Sequence, residues 1–190
     1  MSETRTLTIP ALSLVVLVGA SGSGKSTFAR THFLPTEVLS SDFCRGLVSD
    51  DENDQAATKD AFELLHFIAA KRLAAGRLTV IDATSVKRED RKPLVELARR
   101  FHVLPVAIVL NLSEKLAHAR NRDRPDRQFG PHVVRNQTRE LRRSLKGLQR
   151  EGLSTRPRPF QPGGDRGGCD RAHEALERPS RRGGAVRSHR

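Results

Sequence analysis

Up to about Gly152 the apolar positions follow two rhythms, unbroken runs of strand length and one-sided repeats of helical period. Residues 12–18 (LSLVVLV) form the first run and predict a buried strand. Residues from Lys25 onward (KSTFARTHF) predict a helix. A second, short strand is expected near 37–39, ending at Ser40, Ser41 and Asp42, and the acidic stretch 49–54 reads as a loop or helix start. Ala61, Leu64, Leu65 and Ile68 share one face of a helix over about 55–75, with Gly76 as its C-cap. A strand over 78–81 ends at Asp82, and a helix over 88–100 aligns Leu94, Leu97, Ala98 and Phe101. A fourth strand spans 103–110, with Pro105 near its start; a proline, lacking the N–H, is tolerated only at a strand beginning or an unpaired position. Ser113 caps a further helix that breaks at Pro125. The last helix covers about 131–150, with Val134, Leu141, Leu145 and Leu148 on its apolar face. Strands alternating with helices predict a parallel sheet covered by helices.

Past Gly152 the pattern stops. Residues 153–190 are rich in Arg, Gly and Pro and show no apolar face beyond what could make a short helix over 171–177, so they read as a disordered tail after a domain over 1–152. Nine of the arginines and four of the carboxylates lie there, which accounts for five of the net charge of +12. The body keeps a moderate positive excess, which fits a polyanionic partner such as nucleic acid. Arg135, Arg139, Arg142, Arg143 and Lys146 form a basic stripe at helical spacing; a solvated face accounts for such a stripe equally well. The two cysteines, Cys44 and Cys169, have neither metal-ligand nor disulfide-framework spacing, and the apolar runs are too short to span a membrane. The start lacks the pattern of a secretory leader, so a cytoplasmic location is expected.

Chemistry enters with Gly19, Ala20, Ser21, Gly22, Ser23, Gly24, Lys25 and Ser26, followed by Thr27. They fit G-x-x-x-x-G-K-[ST] between a predicted strand and a predicted helix. Glycines there let backbone N–H groups turn inward around a phosphate chain, Lys25 reaches the β- and γ-phosphates, and the Ser26 hydroxyl ligates Mg²⁺. The helix N-terminus adds partial positive charge. The run predicts a nucleotide site with Mg²⁺. Asp42 ends the second strand, where ligands of open α/β sheets bind, and a carboxylate there can take the proton of an attacking hydroxyl. Arg45, three residues on, could grip an acceptor phosphate. Asp82 sits as a Walker-B acid would, holding a Mg²⁺-bound water; a strand-end turn accounts for it as well. Arg120, Arg124 and Arg127 flank a helix break, as lid arginines delivered to a γ-phosphate would.

Five segments together carry a resemblance: LSLVVLVGASGSGKSTFA, PTEVLSSDFCRGLVSDDENDQ, LTVIDATSV, RNRDRPDRQ and KGLQREG. Over about residues 7–152 the chain resembles the N-terminal kinase domain of bacterial polynucleotide kinase-phosphatase, an RNA end-healing and sealing enzyme. The resemblance implies a three-layer α/β P-loop NTPase fold with a helical lid, and transfer of the γ-phosphate of ATP to a 5′-OH end of RNA or DNA. It implies Asp42 as general base, Arg45 on the acceptor's phosphate, and Arg120, Arg124 and Arg127 over the triphosphate. Full-length relatives continue into a phosphatase and a ligase-like module and partner an RNA 2′-O-methyltransferase. In them an aromatic strand follows KGLQREG, whereas here the last strand is missing, and residues 153–190 read as a shifted reading frame or as a natural basic tail. A small-molecule kinase of the same fold and a non-catalytic nucleotide- or RNA-binding remnant are the rival readings.

Overall fold

The computed structural model describes residues 8–112 and 131–155. At its centre is β1 (Ser13–Val18), every residue of which is buried. A strand buried on both faces belongs in the middle of a sheet that is covered on both sides. β1 pairs in parallel with β3 (Thr79–Asp82) on one side and with β4 (Leu104–Val109) on the other, and β2 (Val38–Ser40) pairs in parallel with the outer side of β3. The order is therefore β2-β3-β1-β4.

The two-residue period of β1 divides the core. Leu14, Val16 and Val18 pack with Leu65 and Ala69 of α3 (Thr58–Ala74), Leu94 and Ala98 of α4 (Arg88–Arg100), Leu141 of α5 (Pro131–Ser144) and Leu148 of α6 (Leu148–Glu151). Val15 and Leu17 face the other way, against Phe28 and Ala29 of α1 (Lys25–His32), Val80 and Val106. Helices on both faces of a four-stranded parallel sheet make three layers, as the alternating pattern predicts.

Several local expectations shift. The segment after β2 is helix α2 (Ser41–Ser49), capped by the Ser40 hydroxyl, which accepts from the Phe43 N–H at 3.3 Å. On α3 the fully buried row is Ala61, Leu65, Ala69 and Leu73, a strict four-residue repeat; Leu64 and Ile68 lie beside it, half-buried. α3 ends where Gly76 takes φ +66 and the Arg77 N–H reaches back to the Arg72 carbonyl at 2.9 Å. The expected helix over 131–150 is broken by a 3₁₀ turn at Leu145–Gly147. Gly152, at φ +101, then turns the chain so that Leu153 is buried and Ser154 forms one parallel bridge with Val106. The Ser154 N–H donates to Pro105 O at 2.8 Å, and the Ala107 N–H donates to Ser154 O at 2.9 Å. Folded chain thus continues three residues past Gly152, and β4 is partly covered at its outer edge. Pro105 lies inside β4, where its missing N–H is harmless because only its carbonyl is engaged by Ser154. The expected helix from Ser113, with Arg120, Arg124 and Arg127, lies outside the described residues, as does 156–190. Among the described residues no helix is long and apolar enough to cross a membrane.

Candidate active site

β1 lies between β3 and β4, which the chain reaches in opposite directions, so a crevice opens beyond the carboxyl ends of the strands at that reversal. The loop after β1 fills it. The Gly19 N–H donates to the Thr84 carbonyl at 3.2 Å and so ties this loop to the segment that follows β3. Gly22 and Gly24 take φ +77 and +89, left-handed values that favour glycine. Gly24 is also the residue that caps α1, which leaves the first-turn amides of α1 at the loop's end.

One polar cleft collects seven of the twelve described residues that the sequence marked. Ser21, Gly22, Gly24, Lys25 and Ser26 line one wall; Ser41, Asp42, Asp82, Ala83 and Thr84 line the other. The register explains the second wall. Ser40 pairs with Asp82 across β2 and β3, so the first turn of α2 begins beside the end of β3 and carries Asp42 with it. Lys25 is buried, and its Nζ donates to Gly19 O at 2.8 Å and Ala20 O at 2.9 Å. Gly19, Ala20 and Ser23 lie buried behind the cleft, and Thr27 is exposed on α1.

The loop fits a phosphate chain on its own geometry. A β-carbon at position 19 would come within 2.5 Å of the Ser23 Oγ and 2.7 Å of the Leu110 carbonyl, so only glycine lets the loop pack this closely on the backbone behind it. The Ser23 hydroxyl, behind the cleft, is buried with no hydrogen-bond partner among the described residues. Ser26 Oγ and the Asp82 carboxylate are hard oxygen donors, the chemistry Mg²⁺ takes.

Arg45 is the residue whose surroundings differ most from expectation. It is 8 % exposed, on α2, with one terminal nitrogen on Asp42 Oδ1 at 2.6 Å and the other on the Glu52 carbonyl at 2.7 Å. Burial lowers its pKa, opposed by the carboxylates of Glu52, Asp51 and Asp54. The acidic stretch, read as a loop or helix start, therefore supports this arginine. Its neighbour Cys44 is buried, which pushes its thiol up and away from the reactive thiolate.

Sequence reading missed three further residues, Gln137, Thr84 and Arg91. Gln137 of α5 accepts the Ser21 N–H at 2.8 Å across 116 positions of chain, and Thr84 joins the cleft wall; neither follows from a local motif. Arg91 of α4 is fully buried and bound bidentately by Glu151 at 2.8 and 2.7 Å. It also donates to the carbonyls of Ser85 and Val86, at 2.9 and 2.8 Å, and so braces the segment after β3. Among the described residues no group of three or more His, Cys, Asp or Glu side chains could hold a metal.

Strand, phosphate loop, helix and opposing carboxylates define a P-loop kinase fold, with the nucleotide site and phosphotransferase framework that go with it. A family pattern described as AAA domain matches residues 14–148, and the chain belongs to that family. A search of the curated proteins returned no match. Among solved structures, one of the Pnkp1/Rnl/Hen1 RNA repair complex superposes with TM-score 0.62 at 19 % identity, over 84 % of this chain and 51 % of the other. A second Pnkp1/Rnl/Hen1 structure gives 0.50 at 21 %, over 67 % and 43 %. A kinase candidate from Chloroflexus aurantiacus J-10-fl gives 0.51 at 18 %, over 82 % and 85 %. The chain thus spans about half the length of the first of these. At such identities the likeness is one of fold.

Proposed function

We propose that this protein is an ATP-dependent polynucleotide kinase that moves the γ-phosphate of ATP onto a 5′-hydroxyl end of RNA or DNA. The observation that carries the reading is Asp42, which shares one cleft with Lys25 and Ser26 and is gripped by a buried arginine. In this reading an Asp42 oxygen takes the proton of the 5′-hydroxyl as the hydroxyl oxygen bonds to the γ-phosphorus. The bond from the γ-phosphorus to the bridging oxygen breaks, and ADP leaves. Lys25 gives up its loop carbonyls for the β- and γ-phosphate oxygens, a stronger, charge-assisted interaction. A Mg²⁺ held by Ser26 and Asp82 would supply charge neutralisation between the phosphates. Arg45 fixes the angle at which Asp42 is presented, and contact with an acceptor phosphate is its second role. Arg120, Arg124 and Arg127 are assigned to the transferring phosphoryl group. The likeness to the RNA repair complex and the SSDFCRG segment favour a nucleic-acid 5′ end over a small alcohol, a cytoplasmic setting, and work alongside phosphatase, ligase and methyltransferase modules.

The test is transfer of labelled γ-phosphate from ATP·Mg²⁺ to a 5′-OH oligonucleotide, with small alcohols as competitors. Asp42→Asn should lower kcat by about 10²–10⁴-fold while sparing the KM for ATP, the range for a lost general base. Lys25→Ala should abolish transfer. Labelling of small alcohols in place of the oligonucleotide would refute the polynucleotide assignment. An undiminished rate in Asp42→Asn would remove that residue from the reaction.

A further inference from the structure

Gln137 reaches the outer limb of the phosphate loop from outside the cleft walls. It projects from α5, and its Oε1 accepts the Ser21 N–H at 2.8 Å. That contact fixes the orientation of the amide, because a backbone N–H can only meet the oxygen end. The NH₂ end is therefore turned away from the Ser21 nitrogen, with both of its hydrogens unused among the described residues. The place where it sits is defined by Lys25. The Lys25 ammonium lies against the carbonyls of Gly19 and Ala20, the two residues before Ser21, and that ammonium is the group that reaches the β- and γ-phosphates. Ser21 itself lines the cleft that contains Asp42. Gln137 is thus fastened at the end of the loop where the terminal phosphate belongs.

The helix holds it there firmly. Val134, Thr138 and Leu141 are buried around it on α5, and the Thr138 hydroxyl donates to the Val134 carbonyl at 2.9 Å. At its far end α5 is tied down by Ser144, whose hydroxyl donates to the Val86 carbonyl at 2.9 Å. A half-buried glutamine on an element anchored in this way has little freedom to turn its amide elsewhere.

We infer that Gln137 is a nucleotide-binding residue, whose amide N–H groups donate to oxygens of the terminal phosphate while its carbonyl stays on Ser21. The inference deepens the kinase reading but does not depend on which hydroxyl accepts the phosphate. It makes Gln137 a γ-phosphate sensor that discriminates ATP from ADP.

The experiment is calorimetric titration of the full chain with the Mg²⁺ complexes of AMP-PNP and ADP, with no acceptor present. Gln137→Leu removes donor and acceptor at similar size. Gln137→Glu keeps an oxygen for the Ser21 N–H and removes the donors. Both variants should lose about tenfold or more in affinity for the triphosphate analogue, the range for a hydrogen bond to a charged group, with ADP affinity within about twofold of wild type. Equal losses for AMP-PNP and ADP in Gln137→Leu would reduce Gln137 to a tether for the loop and overturn the inference. Unchanged affinities in both variants would overturn it as well. Wild-type chain that binds AMP-PNP but phosphorylates no oligonucleotide would refute the polynucleotide reading and leave this result standing.

Discussion

At Gly19 the presence of one carbon atom decides whether the phosphate loop closes. The Ser23 hydroxyl facing an added methyl could rotate aside, but the Leu110 carbonyl at 2.7 Å belongs to the backbone just past β4 and is fixed by the Leu110 N–H bond to Val18 O at 2.9 Å. Gly19→Ala should therefore push the loop outward. The cost expected for such overpacking is about 1–3 kcal/mol of stability. ATP affinity should fall with it, since the amides around Lys25 would no longer converge. Urea unfolding and nucleotide titration of the same variant check both halves, and unchanged values in both would mean that the loop has slack this geometry denies. The glycines, Lys25 and Ser26 were legible because a phosphate chain imposes a fixed local spacing, whereas Asp42 and Asp82 were marked only as polar residues at the ends of apolar strands. Arg45 was marked by its place three residues after Asp42, but its contacts were not legible. Its partner Asp42 is three residues away on a helix that the mixed polar and apolar letters SDFCRGLVS do not announce.

Among the elements, those that bury apolar surface were easy to read and those held by polar pairs were not. β1, β3 and α4 match their expected bounds closely because hydrophobic periodicity marks their buried faces. α2 buries Ser41, Cys44 and Arg45 while Phe43 and Leu47 stay exposed, the reverse of an amphipathic pattern. Arg91 is hidden the same way. It occupies the position one turn before Leu94 on the buried face of α4, where hydropathy predicts an exposed residue, and the charge of Glu151, 60 residues on, joins the Ser85 and Val86 carbonyls in making its burial tolerable. The Arg91–Glu151 pair joins α4, α6 and the segment after β3. Glu151→Ala should cost about 3–5 kcal/mol, since it strands a buried guanidinium. The double variant Arg91→Met, Glu151→Leu should be less damaged than that single one, because no unpaired charge remains. Chemical denaturation of the two proteins decides, and a double variant weaker than Glu151→Ala would show that the ion pair does more than neutralise itself.

For the molecule as a whole, strand order could not be read from the sequence, yet it is strand order that assembles the site. Four strands and their helices are visible as local patterns, but β3 slots between β2 and β1 through pairing between distant segments, and this brings Asp82 and Asp42 opposite the loop. The same non-local packing sets α5 across the loop with Gln137 inward and a row of basic side chains outward. Arg135, Arg139 and Arg142 stand exposed on α5 at spacings of four and three and, with Arg143 and Thr138, line one hollow. Glu140 lies 3.9 Å from Arg143 and offsets little of this charge, since both side chains are largely exposed. A polynucleotide acceptor gives such a row a role that a small alcohol does not. If the row contacts the strand's phosphates, replacing Arg135, Arg139 and Arg142 together by glutamine should weaken binding of a 5′-OH oligonucleotide. Because each lost contact flattens the plot of log affinity against log salt by about 0.7 for a single strand, the slope should drop by about 2. ATP affinity in the same triple variant should stay unchanged, as Gln137 and the loop are untouched. Filter binding across a salt series measures the slope directly. An oligonucleotide affinity and slope equal to wild type would leave the row as a solvated helix face and move the search for the acceptor strand to another side of the cleft.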